Sequence, residues 1–435
     1  MRTLIAVLLL GISQPGFAQT PAPIPSTSTT VADPALGARA GELVGLIAGA
    51  GDFDAYFSPA FHAALPRDKW DAVVAQVTAQ MGKPIAVESI VAISAWAATV
   101  RLRFERGIVT VQLAVDPAPP HAAIGLLFTG TEIAGDTVDK LAADFRALPG
   151  ASGFGIYALG EGVPKLVAGA EPDRTAPLGS AFKLWVLGEL AREVAAGERK
   201  WADVVPVGPP SLPSGITQSW PAGSPVTLQT LATLMISISD NTATDTLVSL
   251  EGAKLDGFVT AAGAPGLAPM LTTRQMFAIK SPANAGLAAA WAKAAPVERR
   301  TLLAANAPRL ATTVVDPSIF GGKPVSIDTL EWFASPAQTA GVLDWLRTKS
   351  GETALALLAV NPGTDAGTRA KFDYVGFKGG SEPGVITLNY LVRRKDGRWL
   401  AVVGNWHRAD AGVETLAFSQ LMTRALVLAS STTLP

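Results

Sequence analysis

Alternating hydrophobic segments stand at the two ends of the C-terminal two thirds of this chain, with helical periodicity between them. Phe154–Leu159 and Leu166–Ala170 read as strands. The next strands come only at Val375–Lys378, Val385–Arg393 and Trp399–Asn405. From Ser180 onward the apolar residues recur at helical spacing, and a last helix covers Glu414–Leu428. Isolated strands leave their backbone groups unpaired, so the two distant sets must meet in one sheet. That predicts an α+β domain, opened by a helix over Val138–Leu148 that stops at Pro149-Gly150.

The region before it changes period once. Helical patterns around Ala38–Ala50 and Arg67–Gln80 flank an aromatic stretch at Phe53–Phe61. Val100, Leu102 and Phe104 then alternate with Arg101, Arg103 and Glu105. After Arg106-Gly107 the alternation resumes through Val109, Val111, Leu113 and Val115, which predicts a half-buried hairpin. A further strand is expected at Ala122–Phe128. Helices followed by a curved antiparallel sheet resemble the NTF2-like, or steroid-isomerase-like, domains. The expected organisation is a signal peptide at 1–18, a linker at 19–35 rich in Pro, Ser and Thr, this smaller domain at 36–131 and the larger one at 132–435.

The signal peptide rests on Arg2, the apolar stretch Leu4–Ile12 and the small-residue site Gly16-Phe17-Ala18 before Gln19. A nine-residue apolar stretch cannot cross about 30 Å of hydrocarbon. Export to the periplasm or medium is therefore expected, without a stable membrane anchor. With 35 Lys and Arg against 36 Asp and Glu, the chain offers no electrostatic footprint for nucleic acid. No Cys occurs, which excludes disulfides. Three His (His62, His121, His407) make a His-based metal centre unexpected, and no cofactor is implied.

Three short motifs carry chemistry. Ser180 and Lys183 open an amphipathic run (Phe182, Leu184, Trp185, Leu187, Leu190), one helical turn apart on one face. A serine hydroxyl needs an adjacent base, and a lysine serves when burial and nearby positive charge lower its pKa. Alone, the pair reads as readily as a helix cap and a solvated lysine. Ser239-Asp240-Asn241 follows an apolar helical segment from Thr227. Its hydroxyl can relay a proton and its amide can hold a substrate amide, or the three can form an ordinary capping turn. Lys378-Gly379-Gly380-Ser381 presents a strand edge stripped of side chains, against which a substrate backbone fits; a glycine bulge is the alternative.

In this order the three resemble the signature set of the class A β-lactamases and penicillin-binding proteins, with Gly379 where those usually have Thr. Pro177–Lys183 and Met235–Ala243 look like the nucleophile and central segments of class A, and the likeness runs from about Thr137 to the C-terminus. The full two-domain arrangement is similar to the β-lactamase-like protein of clavulanic acid biosynthesis. The resemblance implies Ser180 as nucleophile, Lys183 as its base and Ser239 as proton shuttle. It also implies that Asn241 orients the substrate amide and that Lys378 supports Ser239 and the substrate carboxylate. Gly379, Gly380 and Ser381 would line the substrate, and the N–H groups of Ser180 and Ser381 would form the oxyanion hole. The implied partner is a β-lactam or a cell-wall peptide.

The chain also departs from the pattern. No Glu-Pro-x-Leu-Asn stretch precedes Lys378; Leu271–Phe277 reads LTTRQMF instead. The spacing from Ser239 to Lys378 is longer than the family's. Glu298 and Glu331 are candidate substitutes for the base that activates the deacylating water, against a solvated Glu298 and a salt-bridged Glu331. No Arg lies between Lys378 and Arg393, so Arg393 or Arg394 is the candidate for carboxylate binding. These features leave open a slow β-lactamase, a penicillin-binding or D-Ala-D-Ala peptidase-like protein, an esterase, or a catalytically weak binding protein.

Overall fold

The computed structural model describes residues 31–432 and 434, so the expected signal peptide and most of the linker lie outside the described residues. The chain divides into two compact units after Gly135. In the first, β1 (Pro84–Ser94), β2 (Ala97–Phe104), β3 (Gly107–Val115) and β4 (Ala123–Ile133) form an antiparallel sheet in sequence order. Val100, Leu102, Val109, Val111 and Leu113 are buried beneath helices Pro34–Ile47 and Arg67–Met81, with Leu36, Leu43 and Trp70. The alternation at positions 100–115 is thus one face of one hairpin. The sequence reading misses β1, whose pairing with β2 shifts register three times. Each shift breaks the period of two, so no clean alternation survives.

In the second unit β5 (Ala151–Leu159) and β6 (Lys165–Ala170) join strands from the far end of the chain. Two short ladders intervene in the chain: β7 (Ala176–Pro177), which pairs with β10 (Phe333–Ala334), and β8 (Val204–Pro206), which pairs with β9 (Pro225–Thr227). With β11 (Phe372–Glu382), β12 (Val385–Arg394) and β13 (Trp399–His407) the main sheet has the order β11-β12-β13-β5-β6, antiparallel throughout. The expected α+β class is what forms. Period-two alternation sends Leu400, Val402 and Trp406 to one face, against helices Val138–Ala147 and Thr415–Ser430 through Phe145, Phe418 and Met422. Ala401 and Val403 face the other way, into the core built by helices Lys183–Ala195 and Pro336–Lys349. Ser180 lies where this all-helical layer meets the edge strand β11. Among the described residues no helix is long and apolar enough to cross a membrane.

Candidate active site

β7 delivers the chain to a tight turn at Leu178-Gly179, and a single turn of 3-10 helix, Gly179–Phe182, precedes helix Lys183–Ala195. Gly179 sits at φ 49°, a left-handed conformation that costs a residue with a Cβ. A Cβ there would lie 2.8 Å from the backbone N of Ser381. Across the gap β11 runs past in regular pairing with β12, Gly379 opposite Leu388 and Gly380 opposite Thr387, so Lys378–Ser381 is neither bulge nor turn. A Cβ on Gly380 would collide with the Leu178 carbonyl and lie 2.6 Å from Ser180 N. Thr387 Oγ1 donates to the same Leu178 carbonyl at 2.9 Å. The glycines therefore let a strand edge touch the turn that carries Ser180.

The central motif closes the site from the helical layer. Helix Leu228–Ser237 ends two residues before Ser239, which is held at φ 59°, a strained conformation for serine. Asp240 fixes that turn. Its buried carboxylate accepts the N–H groups of Ile216, Thr217 and Ala243 and the Thr217 hydroxyl. Ser214 Oγ donates to the Ser239 carbonyl at 2.7 Å and lines the same cleft, a contributor no motif announces. The strained turn aims Ser239 Oγ between two lysine nitrogens, with Lys183 Nζ and Lys378 Nζ each donating to it at 3.1 Å.

Lys183 is fully buried. Its three hydrogen bonds go to Ser239 Oγ, the Ser239 carbonyl (2.7 Å) and Asn241 Oδ1 (2.7 Å). An ammonium has three donors, so in that form Lys183 is saturated and has nothing left for Ser180. Burial, then the Lys378 charge, hold its pKa well below the ordinary lysine value, which favours the amine with a free lone pair. Burial alone lowers Lys378 to about 7. Asn241 is bonded at both ends of its amide, Nδ2 donating to the Leu212 carbonyl at 3.0 Å. As placed, its first task is to orient Lys183.

Ser180, Ser239, Asn241, Lys378, Gly379, Gly380 and Ser381 line one cleft of about 910 Å³. Phe277, Phe320 and Phe377 supply aromatic wall. Phe320 ends a short 3-10 turn (Pro317–Phe320) in the irregular segment 313–332, which follows helices Ala285–Lys293 and Pro296–Thr312. Thr273 lies on the cleft wall, where Asp245 accepts its N–H at 2.6 Å and its hydroxyl at 2.8 Å. Glu298 is exposed and accepts the Ala295 N–H, away from the cleft. Glu331 reaches the cleft wall but is tied to Lys280 at 3.4 Å. Arg393 and Arg394 are not cleft residues. Their end of β12 pairs with Phe372 and Tyr374, at the opposite end of β11 from Ser381. Arg393 stacks on Trp399, and Arg394 bonds Asp396 and the carbonyls of Ser431 and Leu434. Antiparallel pairing places the end of β12 remote from the site, so the expectation of a carboxylate-binding Arg there is corrected. Among the described residues no group of three or more His, Cys, Asp or Glu is placed to hold a metal ion.

Residues 136–306 match the family model of the beta-lactamase enzyme family. Similar solved structures include a β-lactamase from Sphaerobacter thermophilus (22% identity, 67% of this chain, 95% of that one, TM-score 0.46). Another is a mutant of PBP-A, an acyl-enzyme complex with penicillin G (15%, 67%, 94%, 0.46). A third is an ancestral class A β-lactamase (18%, 67%, 98%, 0.46). No curated protein matches.

Proposed function

Residues 136–306 match the model of the beta-lactamase enzyme family, and we propose that the second unit is a serine hydrolase in which β-lactams acylate Ser180. The observation that carries this reading is the convergence of Lys183 and Lys378 on the Ser239 hydroxyl, in the cleft that Ser180 lines. In the acylation step neutral Lys183 takes the Ser180 proton as Oγ attacks the lactam carbonyl. The N–H groups of Ser180 and Ser381 hold the developing oxyanion. Ser239 passes a proton to the leaving nitrogen as the ring C–N bond breaks, and is re-protonated through the lysine pair. Lys378 supplies the positive charge for the substrate carboxylate.

Deacylation is the slow half. It needs a general base on water, a contribution of about 10²–10⁴-fold. The wall beside Asp245 presents Thr273 rather than a carboxylate, and Glu331 is already paired. The same feature favours a second reading, a penicillin-binding or peptidase-like protein that acylates and stalls. The N-terminal charge and apolar pattern support export to the periplasm or medium. Pre-steady-state mixing with a chromogenic cephalosporin tests the kinetic part. The expected course is a burst of about one equivalent followed by a slow phase, as when an acyl-enzyme accumulates. A linear course at high turnover would contradict it.

A further inference from the structure

For the N–H groups of Ser180 and Ser381 to aim at one oxygen, two segments some two hundred residues apart must stay in register. One is the left-handed turn at Gly179, the other the end of β11. A buried charged cluster surrounds their contact. Glu331 Oε2 accepts the N–H of Gly179 at 3.2 Å and that of Trp332 at 2.9 Å. Its other oxygen lies 3.4 Å from Lys280 Nζ. The same ammonium lies 2.6 and 2.7 Å from the two oxygens of Glu382, the residue after Ser381. The Lys280 and Glu331 side chains are each 1% exposed. One ammonium thus ties the residue before one oxyanion donor to the residue after the other.

Burying such groups costs several kcal/mol per ion, which their mutual attraction offsets only when the geometry is good. Two carboxylates on one ammonium would leave a net negative charge, but burial and the Glu331 charge push Glu382 well above the usual carboxylate range. With a proton on Glu382 the set is neutral. Glu331 is poorly placed to serve as a base for water, because doing so would disturb the bonds that hold Gly179.

We infer that Glu331, Lys280 and Glu382 form a clamp that fixes the spacing of the Ser180 and Ser381 N–H groups, making them positioning residues for acylation. The clamp stands on its own geometry; its catalytic meaning rests on the acylation of Ser180 proposed above.

The test combines amide hydrogen exchange and acylation kinetics on the full chain, with Lys280→Met, Glu331→Gln and Glu382→Ala. Lys280→Met and Glu382→Ala should each speed exchange in both peptides, 178–183 and 380–384, by at least about tenfold, since breaking a buried pair is strongly destabilising. The acylation rate constant should fall on the order of 10–10²-fold, part of the cost of losing a whole oxyanion donor. Substrate affinity should stay within about twofold, the mark of an interaction made in the transition state. Exchange that rises only at the mutated end overturns the clamp. Coupled exchange with an unchanged acylation rate overturns the positioning role. Glu382→Ala, at a strand end, keeps the test decisive if Lys280→Met fails to fold. A wild-type protein that is never acylated would contradict the proposed function, while the exchange data would still decide the clamp.

Discussion

Lys183 and Lys378 share one hydroxyl, and the Lys378 charge adds to burial in keeping Lys183 neutral. Two ammonium groups beside Ser239 cannot both keep their charge cheaply in a buried site, so the more buried one gives it up. Lys183→Ala should therefore lower the acylation rate by about 10²–10⁴-fold, the usual worth of a general base. The pH profile carries the sign of the coupling. Acylation should fall as pH drops through the Lys183 pKa, because the protonated form cannot accept from Ser180. The Lys378 charge lowers that pKa, so Lys378→Met should move the acidic limb to higher pH. In the wild type, KM for a carboxylate-bearing substrate should rise above about pH 7, where Lys378 loses its charge. Rates from pH 5 to 9 in both proteins check this; an unmoved acidic limb would show that the lysines do not communicate. These residues were legible because a helix turn fixes the relation of Ser180 to Lys183 and because three motifs in order narrow the choices. Ser214, Lys280 and Glu382 were not legible, since each acts through a partner far away in sequence.

Among elements, the approach of β11 to the Ser180 turn is the tightest fit. Gly380→Ala places a methyl against the Leu178 carbonyl and Ser180 N, and neither backbone can yield without moving one of the N–H groups proposed to hold the oxyanion. The expected loss is about 1–3 kcal/mol of stability, as for overpacking, with acylation reduced on the order of tenfold or more through the displaced donor. Thermal melting and burst rates on one preparation separate the two. A second element-scale prediction concerns the end of helix Asn241–Glu251. Glu251 is buried facing Glu189, Glu193, Arg192 and Arg199, and neither of its carboxyl oxygens has a hydrogen-bond partner among the described residues. Burial, then Glu189 and Glu193, push its pKa well above the carboxylate range. The folded state therefore binds the proton more tightly than the unfolded one. Its contribution is fully present below about pH 4.3, the unfolded value, and is lost as pH rises through the folded pKa. Glu251→Met should stabilise the protein at pH 8 by about 1–3 kcal/mol, the cost of an unpaired buried polar group, and by less at pH 5. A variant less stable at pH 8 would show that Glu251 has a partner. Periodicity made most strands and helices readable, whereas β1 escaped because its bulges erase the alternation, and the two-residue β7 and β10 are too short to carry a pattern.

At the scale of the molecule, a sheet assembled from both ends of the larger unit was legible because its strands had no other partners. The helices filling the long stretch before Lys378 could be read only as helical, since amphipathic spacing does not say which face lines a cleft. The first unit has its own core beneath its own sheet, and the catalytic candidates all fall in the second. A fragment starting at Asp136 should fold cooperatively and keep the cephalosporin burst; loss of the burst in a folded fragment would show that the first unit shapes the cleft. The whole mechanism turns on Ser180 being the residue that is acylated. Intact-protein mass spectrometry after seconds of mixing with benzylpenicillin reads this directly. The expected result is one covalent equivalent on the wild-type chain, mapped by proteolysis to the peptide containing Ser180, and none on Ser180→Ala. An equal adduct on Ser180→Ala, or none on the wild type while the ring opens only as fast as in buffer, would contradict it.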